Sequence, residues 1–207
     1  MPLKRRRAFR TPKPTFYILC EGANTERDYF RSLQRVQPDL IIDLTPAVGV
    51  PYTVATEAAT LCKELGLGKK KKKKINSFEV RDQVWAVFDR DAHPRFEDAI
   101  ALCKKEGVYV ARSNPCFEVW LILHKEDYQK PDGRNLVQLR LSKLCPEYDP
   151  KKKKSADCSK LIDALEAAEK RAAAQLNRRS DEGAPFGPPS TTVHLLTLAI
   201  RKAIKKA

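Results

Sequence analysis

Short apolar runs of β-forming residues recur along the chain, separated by stretches whose apolar positions fall at helical spacing. Thr15-Phe16-Tyr17-Ile18-Leu19-Cys20 predicts a first buried strand, which ends in Glu21-Gly22. Tyr29, Phe30, Leu33 and Val36 then share one face of a helix for which Asn24 is a suitable cap. Ile41, Ile42 and Leu44 mark a second strand. Val54, Ala58, Leu61, Cys62 and Leu65 trace a second amphipathic helix, closed by Gly66 and Gly68. The run Val84-Trp85-Ala86-Val87-Phe88, followed by Asp89-Arg90-Asp91, is a third strand. Pro94 opens a helix that turns Phe96, Ile100 and Cys103 inward until Gly107, and Val108 to Ala111 form a fourth strand. This alternation predicts an α/β fold, a mainly parallel sheet with helices on both faces.

Beyond it, Asn114 as cap and Pro115 at the first helical position predict a helix through Leu123 that is apolar on all sides except for Glu118. Further helices are expected near Leu136 to Leu144, around Leu161, Ile162, Leu165, Ala168 and Ala172, and from Thr192 to Lys206. Residues 177–190, rich in proline and glycine, read as a loop. Residues 1–14 are basic with three prolines, which suggests a flexible arm. The expected organisation is therefore an arm over 1–14, an α/β catalytic core over 15–125 and a helical extension over 126–207 packed on that core.

Charge changes the picture. Lys and Arg number 40 against 26 Asp and Glu, a net charge of +14, which suits a polyanionic partner, nucleic acid before an anionic membrane. Much of the excess sits in the runs Lys69–Lys74 and Lys151–Lys154, which equally suit a solvated surface. No apolar run approaches the ~20 residues that span a bilayer, and Met-Pro-Leu-Lys-Arg-Arg-Arg lacks a signal peptide's hydrophobic region, so a soluble cytoplasmic protein without a membrane partner is expected. The six cysteines include no Cys-x-x-Cys pair and read as reduced core thiols.

The candidate chemistry is acidic. Asp89 and Asp91 would be delivered to the C-terminal end of a buried strand, where open α/β sheets place their ligands. Two carboxylates about 4 Å apart repel by ~4 kcal/mol at an effective dielectric near 20, and oxygen-only ligands favour Mg²⁺ or Mn²⁺. The same Asp-x-Asp also suits a simple turn and helix cap. Glu21 would reach the same rim if the first and third strands are neighbours. Glu118, in apolar surroundings, requires a cation, a basic side chain or a metal-bound water, unless the helix dipole and partial exposure suffice. Glu26, on a first helical turn, suits either a second metal or the dipole alone. Acidic metal ligands in a basic protein fit phosphodiester chemistry, with lysines and arginines on the flanking backbone.

Three blocks carry a family resemblance: Cys20-Glu21-Gly22-Ala23-Asn24-Thr25-Glu26-Arg27-Asp28-Tyr29-Phe30, Trp85-Ala86-Val87-Phe88-Asp89-Arg90-Asp91, and Ser113-Asn114-Pro115-Cys116-Phe117-Glu118-Val119-Trp120-Leu121. In this order, and with Pro189-Ser190-Thr191-Thr192-Val193-His194 after them, they resemble the RloB-like family over nearly the whole chain. Lys125 and Pro188 depart from the family pattern, where an aromatic and an Asn are usual. The resemblance implies a Toprim-type catalytic fold and a bacterial anti-phage role, often as abortive infection, beside an ATPase that controls a toxic nuclease. By position it implies that Glu21 is a metal ligand or general acid/base, that Asp89 and Asp91 hold Mg²⁺, and that Glu118, near Ser113, belongs to an additional acidic site. It also implies a late lysine, for which Lys151 is the candidate.

The expectation is a Mg²⁺- or Mn²⁺-dependent nuclease. Its catalytic residues would be Glu21, Asp89, Asp91, Glu118 and Lys151; its metal ligands Glu21, Glu26, Asp89, Asp91 and Glu118. Lys69, Lys70, Lys71, Lys72, Arg90, Arg112, Lys151 and Lys152 would bind DNA or RNA, tRNA included, and Gly22, Ser113 and Asn114 would support the site. Expected partners are that nucleic acid, the ATPase and a second copy in a homodimer. Two alternatives stand beside it. Phe88-Asp89-Arg90-Asp91 also imitates the start of an aspartate-based phosphatase, although on the third strand rather than the first, and the acidic cluster could be structural in a non-catalytic module that binds nucleic acid or an ATPase.

Overall fold

A computed structural model describes residues 13–22, 24–37, 41–46, 49–68, 82–90, 93–150 and 158–204. The basic arm apart from Lys13 and Pro14, Asp91, the lysine runs with Lys151 and Lys152, and Lys205 and Lys206 all lie outside them.

β1 (Thr15–Cys20) leads through α1 (Thr25–Val36) to β2 (Ile41–Pro46), and α2 (Pro51–Glu64) returns the chain to β3 (Gln83–Asp89). α3 (Phe96–Glu106) and β4 (Tyr109–Asn114) complete the alternating part. Then follow α4 (Glu118–Leu123), α5 (Arg134–Leu144), α6 (Ser159–Ile162), α7 (Leu165–Asp181), β5 (Ser190–Thr191) and α8 (Val193–Ile204). The strand order is β2-β1-β3-β4-β5, with the first four parallel and β5 antiparallel to β4. The protein is thus an α/β fold with a mostly parallel sheet and a helical C-terminal part, as the alternation predicts.

The period-two alternation of each strand divides the core. Phe16, Ile18 and Cys20 of β1, Trp85 and Val87 of β3 and Ala111 of β4 face the larger cluster, with α1, α4, α5, α7 and α8. Leu19, Val84, Ala86 and Phe88 face the smaller one, where α2 and α3 bring Val54, Ala58, Cys62, Phe96, Ala99 and Cys103. Residues beyond 125 contribute both β5 and much of the larger cluster. All six cysteines are free and buried, as expected of core thiols.

Three local expectations fail. Asn114-Pro115 does not start a helix. β4 continues to Asn114 because Ser113 and Asn114 pair with Thr191 and Ser190, a partner far along the chain, and α4 begins only at Glu118, after a cis Asn114–Pro115 bond. The helix expected around Leu161 is broken between α6 and α7 at Asp163 and Ala164. Residues 177–181 belong to α7 rather than to a loop, and Ser190 is in β5. The last turns of α7 are anchored by buried polar groups that hide its periodicity: the Gln175 side-chain N–H donates to Tyr128 O at 2.7 Å, and the Arg179 guanidinium reaches Pro188 O and Glu182.

Candidate active site

The order β2-β1-β3 places a topological switch point between β1 and β3, because the chain leaves β1 toward one edge of the sheet and β3 toward the other. Connecting segments diverge there and leave a crevice outside the carboxyl ends of the two strands. Cys20 pairs with Val87, so Glu21, one residue beyond β1, and Asp89, the last residue of β3, arrive at that crevice together. Two backbone bonds fix them: Glu21 N–H donates to Val87 O at 2.9 Å, and Asp89 N–H donates to Glu21 Oε2 at 3.1 Å.

A cavity of about 290 Å³ opens there, lined by Glu21, Gly22, Asn24, Thr25, Glu26, Gly49, Asp89, Glu118 and Arg134. Glu26 comes from the buried face of α1, and its carboxylate lies directly over Gly22. A Cβ on that glycine would stand 2.0 Å from Glu26 Oε2, so the Glu-Gly turn is what admits the second carboxylate. Asn24 occupies the position before α1, but its side chain makes no capping hydrogen bond, contrary to expectation. It lines the cavity instead.

Glu118 is buried at the start of α4, and its partners are neutral. Tyr148 O–H donates to Oε1 at 2.5 Å, and the Gln138 side-chain N–H donates to the same atom at 3.3 Å. Of the partners expected for it, the basic side chain gives way among the described residues to two neutral donors from α5 and the segment after it. Arg134, in the first turn of α5, donates from Nη2 to Asp89 Oδ2 at 3.1 Å. Among the described residues lining the cavity it alone is basic.

One guanidinium does not balance four carboxylates in a low-dielectric crevice. Burial, and after it the neighbouring Glu26, pushes the Asp89 carboxyl well above the usual carboxylate range against the opposing pull of Arg134. Burial also raises Glu26, to about 7; its backbone hydrogen bond and Arg134 work against the shift, while Glu118 and Glu21 add to it. An oxygen-only donor set with unrelieved mutual repulsion has the chemistry of a divalent-cation site. As they stand, however, no three His, Cys, Asp or Glu side chains among the described residues are disposed to hold a metal ion.

The structure thus brings Glu21, Gly22, Glu26, Asp89 and Glu118 together. Ser113 lies opposite Asp89 on β4 but hydrogen-bonds Thr191 at 2.9 Å, and Asn114 Nδ2 donates to Phe186 O at 2.8 Å, so both tie β4 to the C-terminal segment rather than enter the cavity. Arg90 and Arg112 lie next to Asp89 along β3 and across to β4, each against an aromatic ring. Arg134, Gln138 and Tyr148 were not legible as site residues, since nothing around Gly133-Arg134 marks it locally as a counter-ion. His124, beside the resemblance block, is a core group. It contacts Tyr29 Oη at 3.1 Å and Trp120 O at 2.9 Å, and burial lowers its pKa to about 4.

The family model described as RloB-like protein matches residues 16–200, and the chain therefore belongs to the RloB-like family. No curated protein and no solved structure matches it. No helix among the described residues is long and apolar enough to cross a membrane.

Proposed function

We propose that this RloB-like protein is a Toprim-type nuclease that cleaves phosphodiester bonds of DNA or RNA with Mg²⁺ or Mn²⁺, as the effector of an anti-phage system held in check by a partner ATPase. The observation that carries this reading is the convergence of Glu21, Glu26, Asp89 and Glu118 on one rim cavity beside Arg134, in a chain of net charge +14. Glu21, Glu26 and Asp89, with Asp91 two residues on, would hold the cation. When bound, such a cation supplies charge neutralisation at the phosphate and at the departing oxygen. The protein's own part is positional. Glu21 is locked to the end of β3, Tyr148 and Gln138 keep Glu118 turned into the cavity, and Arg134, paired with Asp89, sets a positive charge beside the place a phosphate would take.

The purified protein, alone and with its ATPase, would be incubated with plasmid, single strands and tRNA in Mg²⁺ or EDTA. Metal-dependent cleavage that disappears in Asp89→Ala and Glu21→Ala supports the nuclease. Phosphate release from small esters would instead indicate the aspartate-based phosphatase. The Asp89–Arg134 ion pair favours a second reading, a non-catalytic binding module with a self-neutralised acidic cluster. Intact substrates under every condition, with nucleic acid still bound, would select it.

A further inference from the structure

Three arginines stack on aromatic rings along the carboxyl rim of the sheet, on the face opposite α1. The guanidinium carbon of Arg95 stands 3.3 Å from the Tyr52 ring centroid, that of Arg112 stands 3.5 Å from Phe186, and that of Arg90 stands 5.7 Å from Phe96. Topology puts them in a row. Tyr52 is in the first turn of α2, Arg95 and Phe96 begin α3, Arg90 follows β3, and Arg112 pairs across to Phe88 on β4. Phe186 lies on the loop before β5, whose Ser190 pairs with Asn114 at the carboxyl end of β4. The row therefore runs beside the crevice that holds Asp89.

Phe186 is built into its place rather than left over. It has φ of 65°, a left-handed conformation that bulky side chains disfavour, and its carbonyl is held by Asn114 Nδ2 at 2.8 Å. The residue nevertheless stays 36% exposed, with the Arg112 guanidinium over its ring. Among the described residues neither Arg90 nor Arg112 has an acidic group within ion-pair distance; burial lowers the Arg112 pKa, with Glu97 opposing the shift and Arg90 adding to it. Arg95 shares its charge with Asp98 at 3.4 Å. An arginine that makes no ion pair among the described residues and lies over the ring of an exposed residue, Arg112 on Phe186, with Arg90 beside it, matches a partner that carries phosphates and unstacked rings together. A duplex hides its base faces and uses only the charge.

We propose that this row is a binding shelf for single-stranded nucleic acid, with a base stacking on Phe186 and Arg112 while Arg90 and Arg95 contact the flanking phosphates. The proposal rests on the nucleic-acid reading above but not on cleavage. Fluorescence anisotropy of the full chain in EDTA, with labelled dT and U oligomers and a duplex of equal length, tests it. The single strands should bind at least about tenfold more tightly than the duplex. Phe186→Ala should weaken them by about tenfold, Phe186→Trp should retain them, and Phe186→Gly, which suits the positive φ and so preserves the fold, should behave like Ala. Arg90→Gln and Arg95→Gln should each reduce the salt slope of log K by about 0.7. Equal or tighter duplex binding, or unchanged single-strand affinity in both Phe186 truncations, overturns the proposal. Binding through Phe186 without any Mg²⁺-dependent cutting would keep the shelf and sink the nuclease. Cutting that ignores Phe186 would do the reverse.

Discussion

Two acidic clusters in this protein use the same ingredients to opposite effect. Between α7 and α8, Arg201 spans Glu166 and Glu169, and Thr197 O–H donates to Glu169 at 2.9 Å; a closed set of donors answers the carboxylates. At the β1/β3 crevice Glu21, Glu26, Asp89 and Glu118 face one arginine across an open cavity, and two of them are driven toward protonation. A balanced cluster serves the fold. An unbalanced one retains electrostatic strain that only a further cation or a lost carboxylate relieves, and such strain gathers where ligands bind.

The largest expected effect separates the two clusters by activity. Asp89→Ala should reduce metal-dependent cleavage by about 10³-fold without lowering Tm, because it also removes repulsion from Glu26, Glu118 and Glu21. A marked loss of Tm would place the crevice with the structural cluster. Conversely, Arg201→Met strands the buried Glu169 and should cost about 3 kcal/mol, a Tm fall on the order of 10 °C, with cleavage intact below the transition. Unchanged melting would show that the α7–α8 pair contributes little.

A third comparison uses pH. Glu26 rises from 4.5 to about 7 on folding, so its contribution is fully present below pH 4.5 and is lost as pH rises through about 7, on the order of 3 kcal/mol in the metal-free protein. His124, lowered from 6.5 to about 4, tilts the other way: its contribution is present above pH 6.5 and is lost as pH falls through about 4. The Glu26 part is thus read as the difference between wild type and Glu26→Gln in EDTA melts from pH 4.5 to 8. Parallel curves would contradict it. The smallest effect on the fold belongs to Gly22→Ala, whose Cβ meets first the carboxylate end of the Glu26 side chain rather than backbone. Cleavage should drop roughly tenfold to 10²-fold as that carboxylate is displaced, with Tm moving less than about 2 °C. Full activity would remove Glu26 from the site.

Much of this arrangement was legible because it is local. β1, the start of α1 and β3 are each marked by a few adjacent residues, and the convergence of Glu21 with Asp89 required only that their strands be neighbours. Asn114-Pro115 misled because its helix-start signal lost to pairing with residues 190–191. Gln175 and Arg179 concealed the end of α7 because buried polar residues break an apolar period. Arg134, Tyr148 and Gln138 gave no signal, since a counter-ion or a donor is defined by what faces it.

By itself the sequence determined the alternation of strands and helices, the acidic residues at strand ends and the family. Those features follow from side-chain period and from short-range turn chemistry. Only the tertiary structure decided that Arg134 answers Asp89, that neutral donors hold Glu118, and that Phe186 and Arg112 meet. Each of these joins residues distant in the chain, and whether a buried charge is balanced depends on distances in space, which no local pattern encodes.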